Sequence, residues 1–165
     1  MNPRARALGL ATVGCGLLLC ILPALQWYSA DLPTGSATLT GYGSSATTWM
    51  LPVTGALMII TGLLAAWWRP ATGTRVARIL GSLVIVAAVL GVVWAARATL
   101  APGVEVVAER VGQPTAALEG EWSVTVLPAA WIAVAAAALA GMAGILMLTA
   151  RPDEMIGPDE LPPPR

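Results

Sequence analysis

Four long apolar runs, all free of Asp and Glu, constrain this chain more than any other feature. They cover residues 7–27, 49–68, 76–96 and 124–150. A helix needs about 20 mostly apolar residues to cross a bilayer, and lipid offers no partner to an unpaired backbone group, so each run is predicted to be helical. The hydrophobic content of 57% and the mean hydropathy of +0.76 agree with this interpretation. We therefore expect an all-α integral membrane protein, a four-transmembrane-helix bundle spanning residues 1–150.

The distribution of arginine predicts how this bundle is oriented. Lys and Arg collect on the cytoplasmic flanks of membrane helices. The first outer loop, 28–48, has no Arg, and the longer second loop, 97–123, is acidic, whereas the opposite flanks are basic. We expect a multi-pass protein of the plasma membrane with both termini in the cytoplasm, ending in a disordered, acidic, Pro-rich tail, 151–165. The residues that determine this topology are Arg4, Arg6, Arg69, Arg75, Arg78 and Arg151.

Tryptophans mark the expected ends of the helices, because indole rings favour the headgroup zone. Trp27 falls at an outer end and Trp67 at an inner end, while Trp131 alone lies deeper in its helix. Membrane anchoring is the favoured role for most of them, and solvation is the favoured role for the loop carboxylates. The candidate binding residues of the outer face are Trp49, Trp94, Trp122, Trp131, Glu119 and Glu121.

Small residues at intervals of four let membrane helices approach closely. The fourth run has two such rows, which we predict to be packing faces: Ala133, Ala137 and Gly141, and Ala136, Ala140 and Gly144. Glycines in the other three runs are expected to allow similar contacts: Gly9, Gly14, Gly16, Gly55, Gly62, Gly81 and Gly91.

The first outer loop is rich in Thr, Ser and Gly and is expected to be mobile unless it packs on the second loop. Within it, Leu39–Gly43 is similar to the Thr-Val-Gly-Tyr-Gly filter of potassium channels. Pro33 and Gly35 interrupt the position that a pore helix would occupy, so a flexible loop is favoured over a filter.

Several chemistries are disfavoured by the residues that are missing. The chain has no His, which removes a Ser-His-Asp triad and the side chain most used for metal binding. Proton-coupled multidrug antiporters need a carboxylate within the membrane, and the four runs have none. We expect no enzyme activity, no cofactor, no metal and no nucleic-acid partner.

A resemblance to a known family is carried by the Leu39-Thr40-Gly41 run, Trp49, Pro52 and the hairpin 56–97 with its Arg-Val-Ala-Arg turn. In these features the chain resembles the actinobacterial tryptophan-biosynthesis-operon-associated membrane protein family. The resemblance covers residues 1–150 and implies a plasma-membrane protein of unknown molecular function that is linked to tryptophan through gene position.

Two functions remain open. The leading one is an accessory or interaction role, with the lipid bilayer and either a membrane-protein partner or a second copy of the chain as partners. The alternative is a small, oligomeric transporter component for an aromatic amino acid or a related amphiphile, which the outer tryptophans and Pro23, Pro52 and Pro128 motivate.

Overall fold

The computed structural model describes residues 3–32, 35–44, 49–67, 74–100 and 123–149. Four of its helices are long and apolar enough to cross a membrane, which confirms that part of the prediction. The helices are α1 (Pro3–Ile21), α2 (Gly41–Ser44), α3 (Met50–Trp67), α4 (Thr74–Leu100) and α5 (Pro128–Thr149), and the strands are β1 (Gln26–Leu32), β2 (Gly35–Thr40) and β3 (Ser123–Val126).

The long helices form two antiparallel pairs, α1 with α3 and α4 with α5. Contacts are more extensive within each pair than between the pairs, and α1 also borders α5 while α3 borders α4. The bundle therefore has two distinct ends. The arginine end holds the starts of α1 and α4, with Arg6, Arg75 and Arg78, and the sheet end holds the three strands.

A three-stranded antiparallel sheet, in the order β2-β1-β3, lies at the sheet end. Asp31 of β1 pairs with Ser36 of β2 on one side and with Ser123 of β3 on the other. The sheet joins the segment after α1 to the segment before α5. It corrects the prediction of an all-α fold and of a flexible loop at Leu39–Gly43, because these residues belong to β2 and α2.

Several helix boundaries also differ from the predicted runs. The first helix ends at Ile21 instead of 27, and a 3₁₀ turn, Leu22–Ala24, follows it. Pro23 has no amide hydrogen to continue the α-helical ladder, and the chain turns into β1. The last helix begins at Pro128 instead of 124, since proline suits a first helical position, and Val124–Val126 pair in the sheet. Helix α4, the third of the long helices, is longer than predicted at both ends, since it covers Thr74–Leu100 and the predicted run covers 76–96.

The buried core runs along the bundle and continues into the sheet end. Its largest fully buried aliphatic side chains are Leu19, Leu51, Met58 and Val84. The face of α5 that meets them is lined almost wholly by alanine. Because alanine side chains are short, α5 can lie close to its neighbours.

Candidate functional site

Glycines bring α1 and α3 into direct backbone contact. A Cβ built on Gly16 would lie 2.6 Å from the carbonyl oxygen of Gly55, and one built on Gly55 would lie 2.6 Å from that of Gly16. Gly9 and Gly62 repeat this reciprocal contact seven residues away, at 2.6 and 2.7 Å. Side chains at these four positions would push the two helices apart.

The second pair of helices uses the same device. A Cβ on Gly81 of α4 would lie 3.0 Å from the carbonyl oxygen of Gly144, and a Cβ on Gly91 would lie 3.2 Å from Ala137. Both predicted rows of small residues lie on α5: Gly141 is partly exposed, and the other five members are buried, namely Ala133, Ala137, Ala136, Ala140 and Gly144. The prediction of a close helix contact at Gly14 is wrong, because Gly14 is exposed and a Cβ built there would meet nothing within 4 Å.

The buried polar side chains of the described residues are four threonines: Thr12, Thr54, Thr61 and Thr99. Each donates its hydroxyl hydrogen to a carbonyl of its own helix, for example Thr54 to Leu51 at 2.9 Å and Thr61 to Leu57 at 2.8 Å. A hydroxyl bonded in this way is satisfied locally. The donor hydrogens of these threonines are therefore used within their own helices.

A β-bulge at the start of β1 directs two consecutive aromatic side chains into the protein. The register shifts between Gln26 and Tyr28, and Trp27 and Tyr28 are both buried, whereas consecutive side chains of a regular strand point to opposite faces of the sheet. Trp27 is 0% exposed, so the prediction that it anchors its helix in the headgroup zone is wrong. Its Nε1–H donates to the carbonyl of Leu22 at 2.7 Å.

Tyr28 ties the sheet to the end of α4. Its hydroxyl donates to the carbonyl oxygen of Ala98. That carbonyl belongs to the last turn of a helix that ends at Leu100, where carbonyls have no amide partner within the helix. Trp27 and Tyr28 together form the aromatic cap, which closes the sheet end of the bundle. The pair of adjacent aromatics after Pro23 was the available sequence signal for it.

Three of the candidate binding residues predicted from the sequence are described, and their surroundings differ. Trp49 is 61% exposed and its ring lies 4.5 Å, centroid to centroid, from that of Tyr42. Trp94 packs against the buried core, and Trp131 is 52% exposed on α5. Trp122, Glu119 and Glu121 lie outside the described residues.

Tyr42 ties the short helix α2 to α1. Its hydroxyl donates to the carbonyl of Cys20 at 3.4 Å. Desolvation raises the pKa of this hydroxyl above its ordinary value, so the phenol is a neutral donor at physiological pH. Tyr42 is partly buried and Trp49 is exposed, so the pair forms an aromatic surface at the sheet end.

Described arginines occupy both ends of the bundle, but unequally. Arg6, Arg75 and Arg78 are exposed at the arginine end, and Arg97 is exposed in the last turn of α4. The guanidinium carbon of Arg6 lies 6.0 Å from the centre of the Trp67 ring, which is cation–π distance. Arg69, Arg151, the side chain of Arg4 and the tail 151–165 lie outside the described residues.

No group of three metal-ligating side chains occurs within the described residues, and both cysteines, Cys15 and Cys20, are free thiols. No family model, curated protein or solved structure matches this chain. The resemblance to the tryptophan-operon-associated family stays a prediction.

Proposed function

We propose that this chain is a non-enzymatic protein of the plasma membrane with an accessory or interaction role, binding a second membrane protein or another copy of itself. The observation that carries this proposal is the close backbone packing within the helix pairs. Paired glycines bring the backbones together, and the buried hydroxyls are bonded to their own helices. Because the described helices pack closely against one another, we place the contacts with a partner on the outer surfaces of the bundle.

The proposed orientation places the arginine end in the cytoplasm and the sheet outside. It is supported by three exposed arginines at one end against Arg97 at the other, since basic residues accumulate on cytoplasmic flanks. Reporter fusions at Ser44, Gly73, Gly112 and Arg165 test it. We expect Ser44 and Gly112 to report as external and Gly73 and Arg165 as cytoplasmic, and an external Gly73 would overturn the orientation.

The Tyr42–Trp49 pair is the proposed contact surface at the sheet end. Large aromatic side chains that remain exposed supply much of the energy of protein interfaces. A photo-crosslinking amino acid at Trp49 is expected to give one discrete adduct in native membranes. The same amino acid at Leu17, which is exposed on α1, serves as the control for random collisions. Gentle purification that recovers the chain alone, with no adduct from Trp49, would contradict an interaction role.

The alternative role, a subunit of an oligomeric transporter for an aromatic amino acid, is supported by Trp131, which is half exposed within a membrane-spanning helix. In this role the path would lie between chains. Tryptophan flux in deletion and overexpression strains separates the two roles. Altered flux that follows the Trp131→Ala variant would favour transport, and unchanged flux in both strains would exclude it. The link to tryptophan metabolism itself rests on the family resemblance.

A further inference from the structure

An open groove of about 420 Å³ lies on the exposed face of α3, next to the arginine end. Its walls are apolar and are formed by Ile60, Leu63, Leu64 and Trp67. These residues span two helical turns, or about 10 Å at 1.5 Å per residue. The groove therefore runs from the end of the membrane-spanning segment toward its middle, the direction in which a lipid acyl chain lies.

The guanidinium of Arg6 lies at the end of this groove that is formed by Trp67. Trp67 forms the last wall of the groove and is 51% exposed, and the guanidinium of Arg6 is held 6.0 Å from its ring centre. Arg6 is itself exposed, so its N–H donors remain accessible. A guanidinium presents five donors in a planar fork that matches a phosphate group.

The charge at this end favours an anionic ligand. Arg75 and Arg78 are exposed at the same end as Arg6. The sole carboxylate among the described residues is Asp31, which lies on β1 at the sheet end. Within the described part of the chain, the positive charge at the arginine end is therefore not neutralised by an acidic side chain.

We propose that this end binds an anionic phospholipid, with the phosphate at Arg6 and an acyl chain in the groove formed by Ile60, Leu63, Leu64 and Trp67. The cation at the membrane boundary and the apolar groove directly below it match the two parts of a phospholipid. Arg75 and Arg78 add to the positive field that selects an anionic over a zwitterionic headgroup. This site is independent of the interaction role proposed above.

Native mass spectrometry of the full-length protein tests the headgroup half of the site. Phosphatidylglycerol and phosphatidylcholine with identical acyl chains are offered in equal amounts. One arginine near an anionic headgroup is worth about fivefold in affinity, so Arg6→Gln is expected to lower the preference for phosphatidylglycerol about fivefold. Arg97→Gln, which removes an exposed arginine at the opposite end, is the matched control and is expected to leave the preference unchanged.

A second pair of variants tests the acyl half. Ile60→Trp fills the groove and is expected to reduce retention of both lipids, while Val53→Trp, on the exposed side of the same helix nearer the sheet end, is expected to leave it unchanged. Both positions are exposed, so circular dichroism should show an intact fold. Equal lipid preference in the wild type and Arg6→Gln overturns the proposal, as does equal retention in Ile60→Trp and the wild type.

The acidic tail 151–165 is the competing occupant, because α5 ends at the arginine end. Deleting residues 152–165 distinguishes it. If the tail covers Arg6, the full-length protein will show no preference for phosphatidylglycerol and the shortened protein will acquire one, which overturns binding of lipid in the native chain. A preference present in both proteins supports the lipid.

Discussion

Replacing Gly16 by alanine should separate α1 from α3, whereas the same change at Gly14, two residues away, should not. A Cβ at Gly16 would lie 2.6 Å from the Gly55 carbonyl oxygen and 2.9 Å from a side-chain carbon of Ile59. Backbone oxygen cannot move without moving its helix.

The magnitude is the difference between opposing free energies. Overpacking costs about 1–3 kcal/mol. Exchanging Gly for Ala inside a helix stabilises the helix by about 1 kcal/mol, which offsets part of this cost. Gly16→Ala should therefore lower the free energy of unfolding by up to about 2 kcal/mol, and Gly14→Ala should raise it by up to about 1 kcal/mol.

Reversible unfolding in mixed micelles, followed by far-ultraviolet circular dichroism, measures both values. The helix-propensity gain is common to the two variants, so their difference of about 1–3 kcal/mol isolates the packing cost. The double variant Gly16→Ala/Gly55→Ala should cost less than the sum of its parts, because the first substitution already separates the helices. Equal stability of Gly14→Ala and Gly16→Ala would refute the argument.

The aromatic cap provides two further predictions, measured by the same unfolding assay. Tyr28→Phe leaves the buried carbonyl of Ala98 without its donor and should cost about 1–3 kcal/mol, and a cost below that of the more exposed Tyr42→Phe would contradict the capping role. Trp27→Phe should cost about 1–2 kcal/mol, mainly through the cavity it creates, because the Leu22 carbonyl still accepts the Leu25 amide at 3.0 Å. If Trp27→Phe is neutral, the indole is not tightly packed.

The membrane-spanning helices could be predicted from the sequence because lipid imposes a simple requirement. A long apolar run without carboxylates can satisfy its backbone groups only within itself, and Met50–Trp67 differs from its predicted run by one residue at each end. The sheet could not be predicted in this way. Trp27 and Val124 are as apolar as the helices they adjoin, so hydropathy assigns them to the membrane segments. The pairing of β1 with β3 joins residues about 100 positions apart, which a local window does not see.

The sequence by itself determined the four apolar spans and the uneven placement of arginine, since both depend on composition along the chain. Tertiary structure alone decided that Gly16 meets the backbone of α3 while Gly14 faces outward. It also decided that Trp27 lies inside the cap instead of at the membrane boundary. The physical reason is that side-chain direction follows from helix rotation and from the bulge in β1, and both are set by the elements packed against them.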